Sequence, residues 1–204
     1  MKIHLAFTLG SPAVARVPDV KRILSMVLVC GGLAASAVYA DALEIDRARS
    51  SVEVSVKATV DSFTARLNTF DANIQVDDSP TGIAGAVFRF GFAELKTGKA
   101  ERDRQMNEWE QSDVFPDAEF VLTHLTPGTE GHYLAHGTFR LHGQTRELSF
   151  PVAIVADNKL ISIDGEVPLD TRDFGLPVIR KFVVLKVDPH VTVRFHLQGF
   201  RGKS

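Results

Sequence analysis

From Leu43 onward, polar and apolar residues alternate with a period of two through most of the chain. Val52, Val54, Val56, Ala58 and Val60 interleave with Ser51, Glu53, Ser55, Lys57 and Thr59. This is the pattern of a strand with one buried and one wet face. Phe70, Ala72, Ile74 and Val76 repeat it, and Asp77-Asp78-Ser79-Pro80 then turns the chain. Ala84, Ala86, Phe88, Phe90 and Phe92 line one face of the next strand, with Arg89 opposite. Further strands are expected at 120–125, 133–141, 148–154, 160–169, 183–187 and 191–197. Pro127-Gly128, His142-Gly143-Gln144 and Asp157-Asn158 mark turns between them.

One stretch breaks the period. Glu101 to Glu110 carries strong helix formers and neither Pro nor Gly. Met106 and Trp109 stand three apart and so share a helical face. Gly98 before the run and Pro116 after it discourage extension. The pattern predicts one short helix from about Ala100 to Glu110, placed as a plug or lid, or as a cover for core alone.

About eight or nine strands joined mostly by short turns make an all-β domain. Strands with one apolar face need a second sheet or closure on themselves. A barrel of about eight strands is wide enough to be filled by side chains or to hold one small ligand. Periodicity alone leaves barrel and sandwich both open.

Upstream of the strands lies a different kind of segment. Lys21-Arg22 precedes the uncharged apolar run Ile23 to Ala40, and Val38-Tyr39-Ala40 fits a cleavage site before Asp41. Residues 1–40 are therefore expected to be a secretory signal peptide, with residues 1–19 an over-long start. Residues 41–204 are expected to be a single mature domain exported to the periplasm. The whole chain has 23 basic and 25 acidic residues; residues 1–40 hold four and one, leaving 19 and 24 from Asp41, net −5. Such a chain offers no concentrated basic surface for phosphates, which argues against nucleic acid as partner. The only cysteine, Cys30, lies in the leader, so no thiol nucleophile or cysteine metal site is expected in the domain.

Thirteen of the fourteen Phe lie after residue 40, against one Trp and one Tyr there. Phe carries no polar handle, so this is an excess of purely apolar rings. Phe70, Phe88, Phe90, Phe120, Phe150 and Phe195 each stand on the apolar face of a strand and, with Trp109, are the candidate ligand contacts. Plain core is their ordinary alternative. Six histidines follow residue 40, and His132 and His136 share one face of a strand with His124 on a neighbouring strand, but no compact metal-ligand spacing such as H-E-x-x-H occurs. The acid pairs Glu101/Asp103 and Asp170/Asp173 sit among Arg102, Arg104 and Arg172, where salt-bridged loops explain them. No catalytic set, metal or cofactor is expected from these residues.

Several separated pieces together resemble the YceI-like family of secreted lipid-binding proteins. They are Ile45-Asp46 with Ser50 to Val54, Arg102-Asp103-Arg104-Gln105-Met106, Phe115-Pro116 with Ala118 and Phe120, Gly137 to Leu141 with His142 to Arg146, and Leu169 to Gly175. Two departures stand out. Gln105 replaces the family's usual His, and Ser62 to Leu67 replaces a Gly-rich second strand. The resemblance implies an antiparallel lipocalin-like barrel of about eight strands with one short helix near residues 100–110. It implies an apolar tunnel for an isoprenoid lipid, either an isoprenoid quinone or a prenyl phosphate, and a binding protein rather than an enzyme. Transient membrane contact and a homodimer stay open. So do two other functions: a periplasmic enzyme using metal or acid–base chemistry, and a solid barrel acting as an interaction or stress module.

Overall fold

The computed structural model describes residues 41–202 except 60, 80, 130 and 182–184. The leader and its cleavage point lie outside the described residues, as do Val60, Val183 and Val184. Twelve strands and one helix follow in order: β1 (Asp41–Ile45), β2 (Ser51–Ala58), β3 (Phe63–Leu67), β4 (Asp71–Val76), β5 (Ile83–Gly91), β6 (Leu95–Lys96), α1 (Ala100–Glu110), β7 (Asp117–Pro127), β8 (His132–Leu141), β9 (Gln144–Asp157), β10 (Leu160–Asp170), β11 (Arg180–Lys181) and β12 (Leu185–Arg201).

Pairing is antiparallel throughout and runs β1-β4-β5-β7-β8-β9-β10-β12, and β12 pairs back onto β1 to close the ring. The sheet is therefore a barrel and not a sandwich. Three of its eight staves are broken. β1 and β2 are two halves of one stave, β3 and β4 of the second, and β5 and β6 of the third. Asp46 makes the first break, its Oδ1 accepting from the Ala48 amide at 3.0 Å, an aspartate turn that stops the ladder before Ser51. A 3-10 turn, Phe92–Glu94, makes the third. β1 pairs β4 at one end of the barrel and β2 pairs β3 at the other.

β12 ties both halves together. At 17 residues it spans about 55 Å, enough for one edge to carry β2 from Val187 to His196 and β1 from Gly199 to Arg201. The sequence reading placed two strands here, at 183–187 and 191–197. From Leu185 onward they are one, because the polar Asp188–His190 interruption is absorbed by a register shift between Val187 and Val191. Two further readings move by one residue. The β9–β10 turn is Asn158-Lys159, with Asn158 at φ 52°, since Asp157 already pairs with Leu160. Ala84 is exposed and Ile83 takes the inward place, because the β4–β5 register shifts opposite Gln75 and Val76.

Outer faces carry cross-strand ion pairs. Arg194 reaches Glu166 at 2.8 Å and Arg66 reaches Glu53 at 2.8 Å, while Arg89 pairs with Glu119. Directly opposed charges of opposite sign stabilise a register by a few tenths of a kcal/mol each. Among the described residues, no helix is long and apolar enough to cross a membrane.

α1 occupies the predicted span. Lys99, the residue before it, supplies no side-chain cap. Asp103 compensates by accepting from the Thr97 amide at 2.8 Å and the Thr97 hydroxyl at 2.6 Å. At the other end Gln111 adopts φ 61° and stops the helix. Met106 and Trp109 pack against the core, as their shared face implies.

Candidate functional site

Inward positions are read directly from the register. On β10 these are Ile161, Ile163, Gly165, Val167 and Leu169; on β12, Val193, Phe195, Leu197 and Gly199; on β9, Leu148, Phe150, Val152 and Ile154. In a filled barrel such residues would all be buried. Here burial is deepest toward the two ends. Leu43, Val76 and Ile161 lie at one end, each below 5% exposure. Phe174 and Leu176, at 1% and 2%, join Ala65 and Phe92 at the other. In the middle, Val54, Phe88, Phe90, Phe120, Leu122 and Phe195 point inward and yet are only half-buried. Their free surface faces an empty space of ≈ 1110 Å³, its open mouth included.

The part of it that a water-sized sphere can occupy is ≈ 170 Å³. Its lining differs from that of the usual small-molecule site. Every wall residue is Ala, Val, Leu, Ile or Phe. An apolar ligand could be enclosed along its whole length with no polar group left unpaired. Such a wall offers no general base, nucleophile or oxyanion donor.

Five of the seven candidate contacts line this cavity: Phe88, Phe90, Phe120, Phe150 and Phe195. Phe120 and Phe150 lie 5.3 Å apart, and Phe150 meets Phe195 edge-on at 6.2 Å. The structure places Phe70 and Trp109 off the wall. Phe70 is 8% exposed and lies just before β4. Its ring sits 5.1 Å from Phe88 and the Arg47 guanidinium covers it at 5.6 Å, so it supports Phe88 from the break between β3 and β4. Trp109 packs under α1, and its indole N–H donates to the Pro177 carbonyl at 2.8 Å. It fastens the helix to the segment after β10 and does not reach the void.

Two glycines shape the wall. Gly137 on β8 leaves room for the Phe120 ring, which stands within 2.5 Å of where a Cβ would be, with the Val121 carbonyl at 2.4 Å. Gly165 on β10 does the same for Phe195, whose ring would meet a Cβ at 2.4 Å. Each ring lies across a bare backbone and so leaves the centre of the barrel open. Gly in a strand interior marks close approach of another group, so a signal for these ring seats stands in the sequence beside the Phe stripe.

The polar candidates have structural partners. His136 stands between Thr126 Oγ1 at 3.0 Å and Ser149 Oγ at 2.8 Å, and His124 stacks on it at 4.3 Å. Among the described residues, no three His, Asp or Glu side chains are grouped to hold a metal ion. Asp170 accepts from the Arg172 side chain at 2.9 Å and from its amide at 3.0 Å, which holds its carboxyl at a pKa of about 2. Arg104 bonds Glu101 at 2.7 Å, and Arg102 reaches Asp61 at 2.8 Å while lying 4.2 Å over the Phe63 ring.

A closed antiparallel barrel around a wholly apolar cavity defines the class of fold. The chain belongs to the YceI-like domain family, which matches residues 43–199. No curated protein matches it significantly. Solved structures share the fold. BcnA of Burkholderia cenocepacia is similar with a TM-score of 0.67 at 20% identity, over 76% of this chain and 99% of that one. A polyisoprenoid binding domain from Saccharophagus degradans, implicated in plant cell wall breakdown, gives 0.61 at 14% over 80% and 99%. The Campylobacter jejuni YCEI protein gives 0.61 at 12% over 71% and 88%.

Proposed function

We propose that this protein is a carrier or buffer for a polyisoprenoid lipid, an isoprenoid quinone or a prenyl phosphate, and that it works in the periplasm after loss of residues 1–40. The observation that carries the reading is the void itself: inward mid-strand rings left half-bare around a cavity lined wholly by apolar side chains. Family membership and the similarity to a polyisoprenoid binding domain support the ligand class. A prenyl chain is apolar along its length, and enclosing it gains roughly 25 cal/mol per Å² before ordering costs. The carrier reading requires no catalytic group. The leader pattern at Lys21 to Ala40 supports the compartment.

Organic-solvent extraction of the exported, purified protein, with mass spectrometry of the extract and of the intact chain, tests both parts. The expected result is a prenyl lipid near one per protein and a chain beginning at Asp41. A protein with no extractable lipid that also takes up none when offered would end the carrier reading. A mass retaining residues 23–40 would replace export of a cleaved protein with a membrane anchor.

A further inference from the structure

The most unusual side chain lies outside the cavity. Glu110, the last residue of α1, is 0% exposed, and neither of its carboxyl oxygens has a hydrogen-bond partner. Among the described residues, the only other buried polar side chain is Thr171. An unpartnered buried carboxylate is costly, and a neutral carboxyl much less so. Its place makes the charge worse, because a helix C-terminus carries a partial negative charge of its own.

Everything that ties down this turn of α1 is neutral. The Glu110 backbone carbonyl accepts from His142 Nδ1 at 3.1 Å, on the β8–β9 turn. A carbonyl can only accept, so Nδ1 bears the proton. The neighbouring Trp109 donates to the Pro177 carbonyl. The elements against α1 bring few charges, and Asp61, before β3, meets Lys99 and Arg102 at the opposite, N-terminal end of the helix. Glu94 comes from the 3-10 turn, Lys96 from β6 and His142 from the β8–β9 turn; Arg172 and Asp173 precede the Pro177 segment. Of these, only His142 bonds Glu110, and it does so at the backbone. α1 in turn lies on β6, whose Leu95 forms part of the cavity wall.

We propose that the C-terminal turn of α1 is a pH-sensitive latch on the barrel, docked while Glu110 is neutral and released as it ionises, and that release opens the apolar cavity to ligand exchange. The second half rests on the lipid-carrier reading; the first does not. Burial alone raises the docked carboxyl from its ordinary 4.5 to about 7. Once undocked, the group returns to the ordinary value. As pH rises, the undocked form therefore loses its proton first. Docking is strongest below about pH 4.5, weakens through the interval up to about 7, and is level above it. The docking equilibrium should fall by about two and a half powers of ten across that window. Protonation of His142 leaves its Nδ1–H in place, so this tie does not reverse the trend.

Amide hydrogen exchange over residues 100–111 at pH 5.5 and 8.5, corrected for intrinsic rates, tests the latch without any ligand. The wild-type turn should open about 30-fold more readily at pH 8.5. Glu110→Gln should be equally protected at both pH values. His142→Asn, which suits the φ of 48° there, should be looser but keep the pH dependence. Equal wild-type protection at the two pH values would overturn the latch, as would pH dependence surviving in Glu110→Gln or lost in His142→Asn. Should Glu110→Gln fold poorly, the wild-type and His142→Asn profiles still decide it. Transfer of a fluorescent farnesyl probe to phosphatidylcholine vesicles then tests the gate: transfer should quicken with pH in parallel with exchange. Transfer indifferent to pH beside a pH-dependent turn would sink the gate and keep the latch. Absence of probe binding at either pH would instead count against the carrier reading.

Discussion

Gly137→Ala is expected to destabilise the protein by about 3 kcal/mol, the upper part of the usual cost of overpacking. A Cβ there would lie 2.4 Å from the Val121 carbonyl and 2.5 Å from the Phe120 ring. The ring could swing into the cavity. The carbonyl belongs to β7, whose ladder with β8 already shifts register between Leu122 and His124, and it has no such freedom. Gly165→Ala should be milder, since the close atoms there are those of the Phe195 ring. It should cost about 1 kcal/mol and mainly displace that ring into the void. Denaturant midpoints of the two variants check the order. Equal, near-zero shifts would mean that the rings do not lie across bare backbone as described.

Phe88→Trp is the second large effect, this time on occupancy. Phe88 lines the void, is half-buried, and stands 5.1 Å from Phe70 and 6.1 Å from Phe90. The extra ring of Trp has empty space to enter. Stability should therefore change by less than about 1 kcal/mol, whereas in a solid core the same change costs typically 1–3 kcal/mol. Bound lipid should drop several-fold, because the added volume is taken from the ligand. Denaturant midpoint and lipid retention, measured on the same preparation, separate the outcomes. Lost stability with unchanged lipid would mean that the ligand does not reach this layer.

The barrel was legible because its physics is local. Alternation at Val52 to Ala58 and Ala72 to Val76 fixes which side chains face inward before any strand is paired. The helix was legible for the same reason, and its bounds coincide with those expected. Closure was not legible, since a sandwich alternates identically and only the β1–β12 pairing decides. The broken staves were also hidden. They arise where Asp46 and the 3-10 turn at Phe92 interrupt long strands, and a break within a stave looks like a turn between two. Within the site, the inward direction of Phe88, Phe90, Phe120, Phe150 and Phe195 could be read from the pattern. That Phe70 falls off the wall could not, because it stands in the break between β3 and β4. Glu110 could have been found. It stands four residues after Met106 and so shares the helical face that Met106 puts against the core.

The account's central claim is an apolar void that encloses a prenyl chain, and chain length tests it most directly. Prenyl alcohols of two, three, four, six and eight isoprene units, titrated into delipidated protein by calorimetry, give affinity as a function of length. Each added unit buries several carbons, and at roughly 0.8 kcal/mol per buried CH₂ less ordering costs it should tighten binding by about tenfold. The gain should stop abruptly once the cavity is filled, and in Phe88→Trp it should stop earlier. Affinity independent of length, or no binding at any length by a protein shown to be empty and folded, would contradict the account.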